Sequence, residues 1–313
     1  MPTNKEKNFI SAVVYVRNNE SYIGEFCKNL FLILKDNFEK YEVIFVNDFC
    51  TDGSIRTIKE TISENKEKAV SIINMSIFQG IELSMNAGID LAIGDFIFEF
   101  DSVCMDYDHD KVMEVYFRAL SGHDIVSASP KKGIPISSRL FYGIFNYFSE
   151  AKYTLRSERF RILSRRAVNR VQSISKVVSY RKAAYANSGL SVDCIEYIPS
   201  MKHQLPNSEH LRSRKDTAFD SLIMFTGVAY KISILMTILL FIMALSAGIY
   251  TIIIYTGENR PVSGWTTTMI LLSVGFSGVF MVMAIIIKYL SILVELILKR
   301  QRYLVESIEK ISR

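Results

Sequence analysis

Apolar positions in the first 130 residues follow two alternating spacings. Phe9–Val16 is a run of small and β-branched residues suited to a buried strand. Ile23, Phe26, Cys27, Leu30, Phe31 and Leu34 then recur at helical spacing. The pair repeats: a strand over Tyr41–Val46 and a helix from about Ser54, a strand over Val70–Asn74 and a helix from Gly80 to Ala92. A strand over Gly94–Phe100 with a helix over Val112–Leu120 follows, and then a strand over Asp124–Ala128. Such alternation predicts an α/β fold, a doubly wound and mostly parallel sheet. Sheets of that kind take ligands at the carboxyl ends of their strands. Polar clusters stand at those ends: Arg17–Glu20, Asn47–Gly53 and Asp101-Ser102.

Beyond residue 130 the pattern changes. Lys131 to Lys202 is rich in Arg, Tyr and Ser, and Phe219, Leu222, Ile223 and Tyr230 share one face behind Arg212, Arg214 and Lys215. This predicts a helix lying on a membrane surface. Two uncharged runs follow, Ile232–Tyr255 of 24 residues and Pro261–Ile287 of 27. About 20 apolar residues cross a bilayer core, so each is long enough to span. Gly275, Ser277 and Gly278 in the second run suit close helix approach. Leu293, Ile297, Leu304, Ile308 and Ile311 continue at helical spacing, which predicts a C-terminal helix and a candidate surface for homo-oligomer formation. The expected organisation is a soluble domain over 1–211, a juxtamembrane amphipathic helix over 212–231, a two-helix hairpin over 232–287 and a C-terminal cytoplasmic helix over 288–313.

Composition supports an anchor. The chain has 313 residues, 49% hydrophobic and 22% charged, with a mean hydropathy of +0.19. The two apolar runs account for the positive mean. Five basic residues from Lys202 to Lys231 and six from Lys288 onward stand against Arg260 alone in the intervening loop. That bias predicts a large domain and both termini on the cytoplasmic side of the cell's inner membrane. The net charge of +5 clusters beside the membrane, so lipid headgroups rather than nucleic acid are its expected partners. No apolar h-region opens the chain, so no signal peptide is read. Cys27, Cys50, Cys104 and Cys194 lack CxxC spacing, which argues against a zinc site or disulfide framework. No G-x-G-x-x-G follows a strand and no P-loop occurs, which removes dinucleotide oxidoreductases and P-loop ATPases.

Several segments together carry a resemblance. Val13-Val-Tyr-Val-Arg-Asn18-Asn-Glu20, Val43-Ile-Phe-Val-Asn47-Asp48-Phe-Cys-Thr-Asp52-Gly53-Ser54, Phe78-Gln-Gly80 with the segment through Ala87-Gly88 to Gly94-Asp95, Phe98-Glu-Phe-Asp101, and Phe160-Arg161-Ile-Leu163-Ser-Arg165 occur in one order. In that order they resemble the motifs of family 2 glycosyltransferases with the GT-A fold. Phe160–Arg165, and Ala218–Phe225 before the apolar runs, are similar to the polyprenyl-phosphate group, that of dolichol-phosphate mannose synthase and bactoprenol glucosyltransferase. The resemblance implies an inverting transfer of a sugar from a nucleotide-sugar donor to polyprenyl (undecaprenyl) phosphate, for cell-surface polysaccharide or glycan modification. It places Tyr15, Asn18, Glu20, Asp48 and Gly80 around the donor nucleotide, and Asp101 on Mg2+ or Mn2+ at the pyrophosphate. Arg139, Arg161 and Arg165 would hold the acceptor phosphate, with Asp101 and Arg161 as the catalytic pair. A lipid phosphate is already an anion, so it needs guanidinium groups to position it more than a general base. Asp52 reads as a helix cap.

The chain departs from that pattern. The paired acid before the nucleotide turn is Asn47-Asp48, and Asp101-Ser102-Val103 lacks the second acid of D-x-D, for which Asp106 and Asp108 are the nearest substitutes. Arg159 stands where an acid precedes the acceptor motif. Two other readings stay open at this point: a non-catalytic relative serving in assembly or lipid handling, and transfer onto the hydroxyl of a lipid-linked saccharide.

Overall fold

The computed structural model describes residues 5–65, 67, 69–148, 153–174, 180–200 and 303–311, with helical positions scattered singly and in runs of two or three between 235 and 293. The juxtamembrane helix expected over 212–231 lies outside the described residues. The chain forms two compact units, one made of 1–221 and 300–313, the other of 222–299.

The first unit is built on an eight-stranded sheet. In chain order its strands are β1 (Ile10–Val16), β2 (Tyr41–Asn47), β3 (Val70–Met75), β4 (Phe96–Phe100), β5 (Ile125–Pro130), β6 (Phe160–Ser164), β7 (Val192–Tyr197) and β8 (Val305–Ile311). Across the sheet the order is β7-β5-β6-β4-β1-β2-β3-β8. The helices are α1 (Glu20–Asn37), α2 (Ser54–Asn65), α3 (Ile81–Leu91), α4 (Asp110–Leu120), α5 (Ile136–Phe148), α6 (Arg165–Ile174) and α7 (Arg181–Ala186).

All five predicted strands and the four predicted helices of the first 130 residues are present. The central strands β3, β2, β1 and β4 are parallel. β1 is buried at every position because helices cover both of its faces, which is why it reads as an unbroken apolar run. On one side Phe26 of α1 meets Phe100 edge-to-face at 5.5 Å. On the other, α3 approaches closely through Gly88: a Cβ there would lie 2.3 Å from Val13 and 2.8 Å from Val46. Cys27, Cys50, Cys104 and Cys194 are free.

Three strands escaped the sequence reading, and they change the sheet from mostly parallel to mixed. β6 inserts antiparallel between β4 and β5, pairing Glu99 with Arg161 and Ser127 with Arg161. β7 runs parallel to β5. β8 corrects the last part of the C-terminal helix expected over 288–313: residues 305–311 pair antiparallel with β3 and close the far edge of the sheet, whereas the described positions 289, 290 and 293 are helical. Val305-Glu-Ser-Ile-Glu-Lys-Ile311 satisfies helical spacing and β-branched strand patterning equally, and an open edge on β3 decides between them. The first unit is therefore discontinuous in sequence, and 1–211 alone omits its last strand.

In the second unit, the described positions within the two apolar runs are helical. Among the described residues no helix is long and apolar enough to cross a membrane. A Cβ added at Gly278 would lie 2.0 Å from Leu240, whereas one added at Gly275 would meet no described residue within 4 Å.

Candidate active site

The carboxyl ends of β1, β2 and β3 converge on Asp48. Its carboxylate accepts hydrogen bonds from Tyr15 Oη (2.8 Å), the Gln79 amide (2.9 Å) and the Gly80 amide (2.9 Å). Gly80 has φ +82°, a left-handed conformation that glycine adopts without steric penalty, and this aims its N–H at Asp48. Burial, then the neighbouring Asp48 charge, pushes the Tyr15 hydroxyl well above its ordinary value, so it stays a donor. Asp48 itself is buried. The structure thus brings Tyr15, Asp48 and Gly80 together. It gives Asp48 three protein donors, however, so the residue closes the 76–80 loop onto the sheet and is not an open face for a nucleoside.

The β1 and β2 turns lock to each other. Asn18, with φ +49°, accepts from the Thr51 amide at 2.8 Å. Glu20 accepts from the Gly53 amide at 3.0 Å and from Arg56 at 3.2 Å. Asp52 accepts from the Ser54 amide and from the Glu20 amide, both at 3.0 Å. It therefore caps both α1 and α2, more than the single cap expected. Burial opposes its charge, but the bonds from Ser54 and Glu20 outweigh that and hold its carboxyl below the ordinary value. The Arg17 guanidinium donates to the Asp48 carbonyl at 3.1 Å and lies 4.8 Å over the Phe78 ring.

Phe49 went unnoticed in the sequence. It has φ +57°, a conformation that is a genuine outlier for a bulky residue. Its ring is 47% exposed beside Asp48. Aromatic residues next to a turn are common in sequences, and nothing in the one-dimensional pattern marks a left-handed backbone.

A second cluster occupies the end of β4. Arg161, fully buried, pairs with Glu99, with Asp101 at 2.7 Å and with Glu158 at 3.1 Å. Arg181 pairs with Asp101 at 2.7 Å, Glu99 at 2.9 Å and Glu82 at 2.9 Å. Tyr185 Oη donates to Glu99. Burial works against charge on both arginines, but the Asp101 and Glu99 carboxylates outweigh it, so both guanidinium groups are held well above their usual range. Burial likewise disfavours charge on Asp101, yet Arg161, Arg181 and Lys182 overcome it and hold its carboxyl well below the carboxylate range.

This cluster corrects several expectations. Both Asp101 oxygens accept from guanidinium groups, and among the described residues no three acidic, His or Cys side chains group to hold a metal. The donor set around Asp101 does not fit Mg2+ or Mn2+ in this arrangement. Asp106 offers no second acid, because its oxygens accept from Arg159 at 3.2 Å and Tyr197 at 2.6 Å. Asp108 is exposed at the start of α4. Arg161 is engaged by three carboxylates and is not open to a phosphate.

Arg165 is corrected by topology. Because β6 runs antiparallel to β4, Arg161 lies near Asp101 while Arg165 lies beside Asp95, roughly 20 Å away at about 3.3 Å per strand residue. Its guanidinium holds the carbonyls of Ala92 and Gly94 at 2.9 and 2.6 Å. Arg139, by contrast, is exposed on α5. The same helix exposes Ile136 (83%), Leu140 (64%), Ile144 and Tyr147 (81%), while Phe145 is buried beneath.

Comparison with known proteins identifies the family. The Glycosyl transferase family 2 profile matches residues 11–171, from β1 into α6. Over 306 residues the chain is 21% identical to the uncharacterized glycosyltransferase sll0501 of Synechocystis sp., covering 96% of this chain and 95% of the relative. It is 22% identical to the uncharacterized glycosyltransferase YkcC of Bacillus subtilis, with 95% and 93% covered. Among solved structures, Mycobacterium tuberculosis glucosyl-3-phosphoglycerate synthase in complex with Mn2+, UDP-glucose and phosphoglyceric acid has the same fold. It is 12% identical, with a TM-score of 0.52 over 69% of this chain and 79% of that one. With the family's profile spanning the strands that build the Asp48 and Asp101 clusters, the chain belongs to glycosyltransferase family 2 and is a glycosyltransferase.

Proposed function

We propose that the protein transfers a sugar from a nucleotide-sugar donor to polyprenyl phosphate at the cytoplasmic face of the inner membrane, supplying cell-surface polysaccharide or glycan modification. The observation that carries this reading is α5. Its exposed face is apolar at Ile136, Leu140, Ile144 and Tyr147, and Arg139 stands among them. A helix at headgroup depth that offers a cation to a lipid phosphate needs that combination. The two uncharged runs with basic flanks supply an anchor in the same chain, and the whole-length relatives include that region.

In this reading the donor's nucleotide sits over the turns joined by Asp48, Asn18 and Glu20, with Phe49 as a stacking face for the base. An acceptor phosphate oxygen attacks the anomeric carbon, its bond forms as the bond to the diphosphate breaks, and the nucleoside diphosphate leaves. The configuration inverts in that single displacement. No proton need be removed from the acceptor. The mycobacterial synthase of similar fold holds Mn2+ together with UDP-glucose, but the residues around Asp101 do not fit an ion as arranged. Arg161 and Arg181 organise the Glu99–Asp101 end of β4 beneath the donor.

The test is incorporation of radiolabelled sugar from UDP- and GDP-sugars into chloroform-extractable lipid, in membranes carrying the full chain. Incorporation that falls with Arg139→Ala and with Leu140→Glu is expected. Label appearing on a water-soluble acceptor, with none in the lipid, would overturn the lipid reading and leave the family assignment standing.

A further inference from the structure

We propose that the returning C-terminal strand positions the donor loops, with Gln79 and Asn74 as positioning residues. This rests on reading the Asp48 turns as the donor subsite. Leu304, one residue before β8, is bound on both sides by one side chain: Gln79 Nε2 donates to its carbonyl at 2.6 Å, and its amide donates to Gln79 Oε1 at 2.8 Å. The Ser76 amide also donates to the Leu304 carbonyl, at 3.2 Å. Gln79 is the residue whose backbone amide, with that of Gly80, holds the Asp48 carboxylate. The C-terminal segment therefore fixes both ends of the 76–80 loop.

A second path reaches the β2 turn. Asn74 Nδ2 donates to Ser307 Oγ at 3.0 Å and Glu309 Oε1 at 2.9 Å. Asn74 Oδ1 accepts from Asn47 Nδ2 at 2.8 Å, and Asn47 Oδ1 accepts from the Cys50 amide at 2.9 Å. Ser307 and Glu309 are thus joined through Asn74 and Asn47 to the turn that carries Asp48 and Phe49. The two paths flank Asp48, and both begin on a strand that the chain supplies only after the second unit. Amide side chains suit such a relay because each donates and accepts at once. Lys59 grips the same strand at Glu309 (2.7 Å) from α2, and so braces β8 without touching either donor turn.

The experiment compares Gln79→Ala, Asn74→Ala and Lys59→Ala in the full chain, by amide hydrogen exchange and by calorimetric titration with UDP and with GDP. Gln79→Ala is expected to speed exchange at the Gln79 and Gly80 amides about tenfold, and Asn74→Ala to do the same at Cys50, the scale of one or two net hydrogen bonds. Each is expected to weaken nucleotide binding several-fold and raise the donor KM, with kcat and acceptor KM unchanged. Lys59→Ala, which does not touch the Gln79–Leu304 contact, is expected to leave exchange at the Gln79 and Gly80 amides unchanged. Unchanged exchange in Gln79→Ala and Asn74→Ala overturns the proposal, and so does an equal effect from Lys59→Ala, which would mark general loosening of the edge. If neither nucleotide binds the parent chain, the donor reading fails while the exchange data still judge the clasp.

Discussion

Arg181 and Asp101, 80 residues apart in sequence, meet at 2.7 Å at the carboxyl end of β4. Asp101 is also held by Arg161 at 2.7 Å, so an acid that the motif assigns to a metal is here the centre of a twin-guanidinium pair. Removing one partner from a buried ion cluster leaves an uncompensated charge, at a cost of about 3–5 kcal/mol. Arg181→Met is expected to lower stability by that amount, read as a shift in the denaturant midpoint by far-ultraviolet circular dichroism. Adding Asp101→Asn to Arg181→Met is expected to recover part of the loss, since it removes one of the orphaned charges.

The same pair sets an acid limit. The Asp101 carboxyl is depressed in the folded chain relative to its ordinary value of 3.8, burial being outweighed by Arg161, Arg181 and Lys182. Between the folded and the unfolded value the unfolded chain binds more protons, so stability rises with pH there. The contribution of Asp101 is fully present above the ordinary carboxylate range and is lost progressively as pH falls below about 4 toward the folded value. Melting temperatures across pH 2 to 7 are expected to fall at the acid end (~pH 2–4), less steeply in Asp101→Asn than in the parent.

Phe49 gives a test in which stability and affinity move oppositely. A left-handed backbone costs an ordinary L-residue about 1–2 kcal/mol, and Phe49 adopts one with φ +57°. Phe49→Gly is expected to gain up to about 1 kcal/mol in stability once glycine's own entropy is counted. If the ring stacks on the base, UDP or GDP binding falls by the equivalent of about 1–3 kcal/mol in the same variant. Affinity that stays at the parent's value removes Phe49 from the site.

Arg165 and Arg139 separate a structural arginine from the one proposed to hold the acceptor. Arg165→Ala deprives the Ala92 and Gly94 carbonyls of their donor and is expected to cost about 1–3 kcal/mol of stability, with the KM for lipid acceptor unchanged. Arg139→Ala is expected to do the reverse. A raised acceptor KM in Arg165→Ala would restore it as a phosphate ligand.

The parallel centre of the fold was legible because each strand there is covered on both faces and each helix on one, so burial writes itself into spacing. Phe160–Ser164 was noticed for its motif but not for its direction. Nothing local says that β6 enters antiparallel between β4 and β5, yet that direction sends Arg161 to Asp101 and Arg165 to Asp95. Arg181 carried little signal, standing in a Tyr-Arg-Lys stretch at the start of a six-residue helix. Its weight comes from three carboxylates contributed by α3 and β4.

What the sequence determines by itself is the α/β alternation, the polar turns at the strand ends, the two uncharged runs and the family those segments resemble. Each of these is a local pattern, set by covalent neighbours and by periodicity. Only the tertiary structure decides that Asp48 and Asp101 are held by protein donors, that Arg139 alone of the three arginines expected at the acceptor is exposed, and that residues 305–311 form a strand. Those outcomes depend on which distant groups share a buried volume. There, an unpaired charge or an unfilled sheet edge costs more than local propensity can offset.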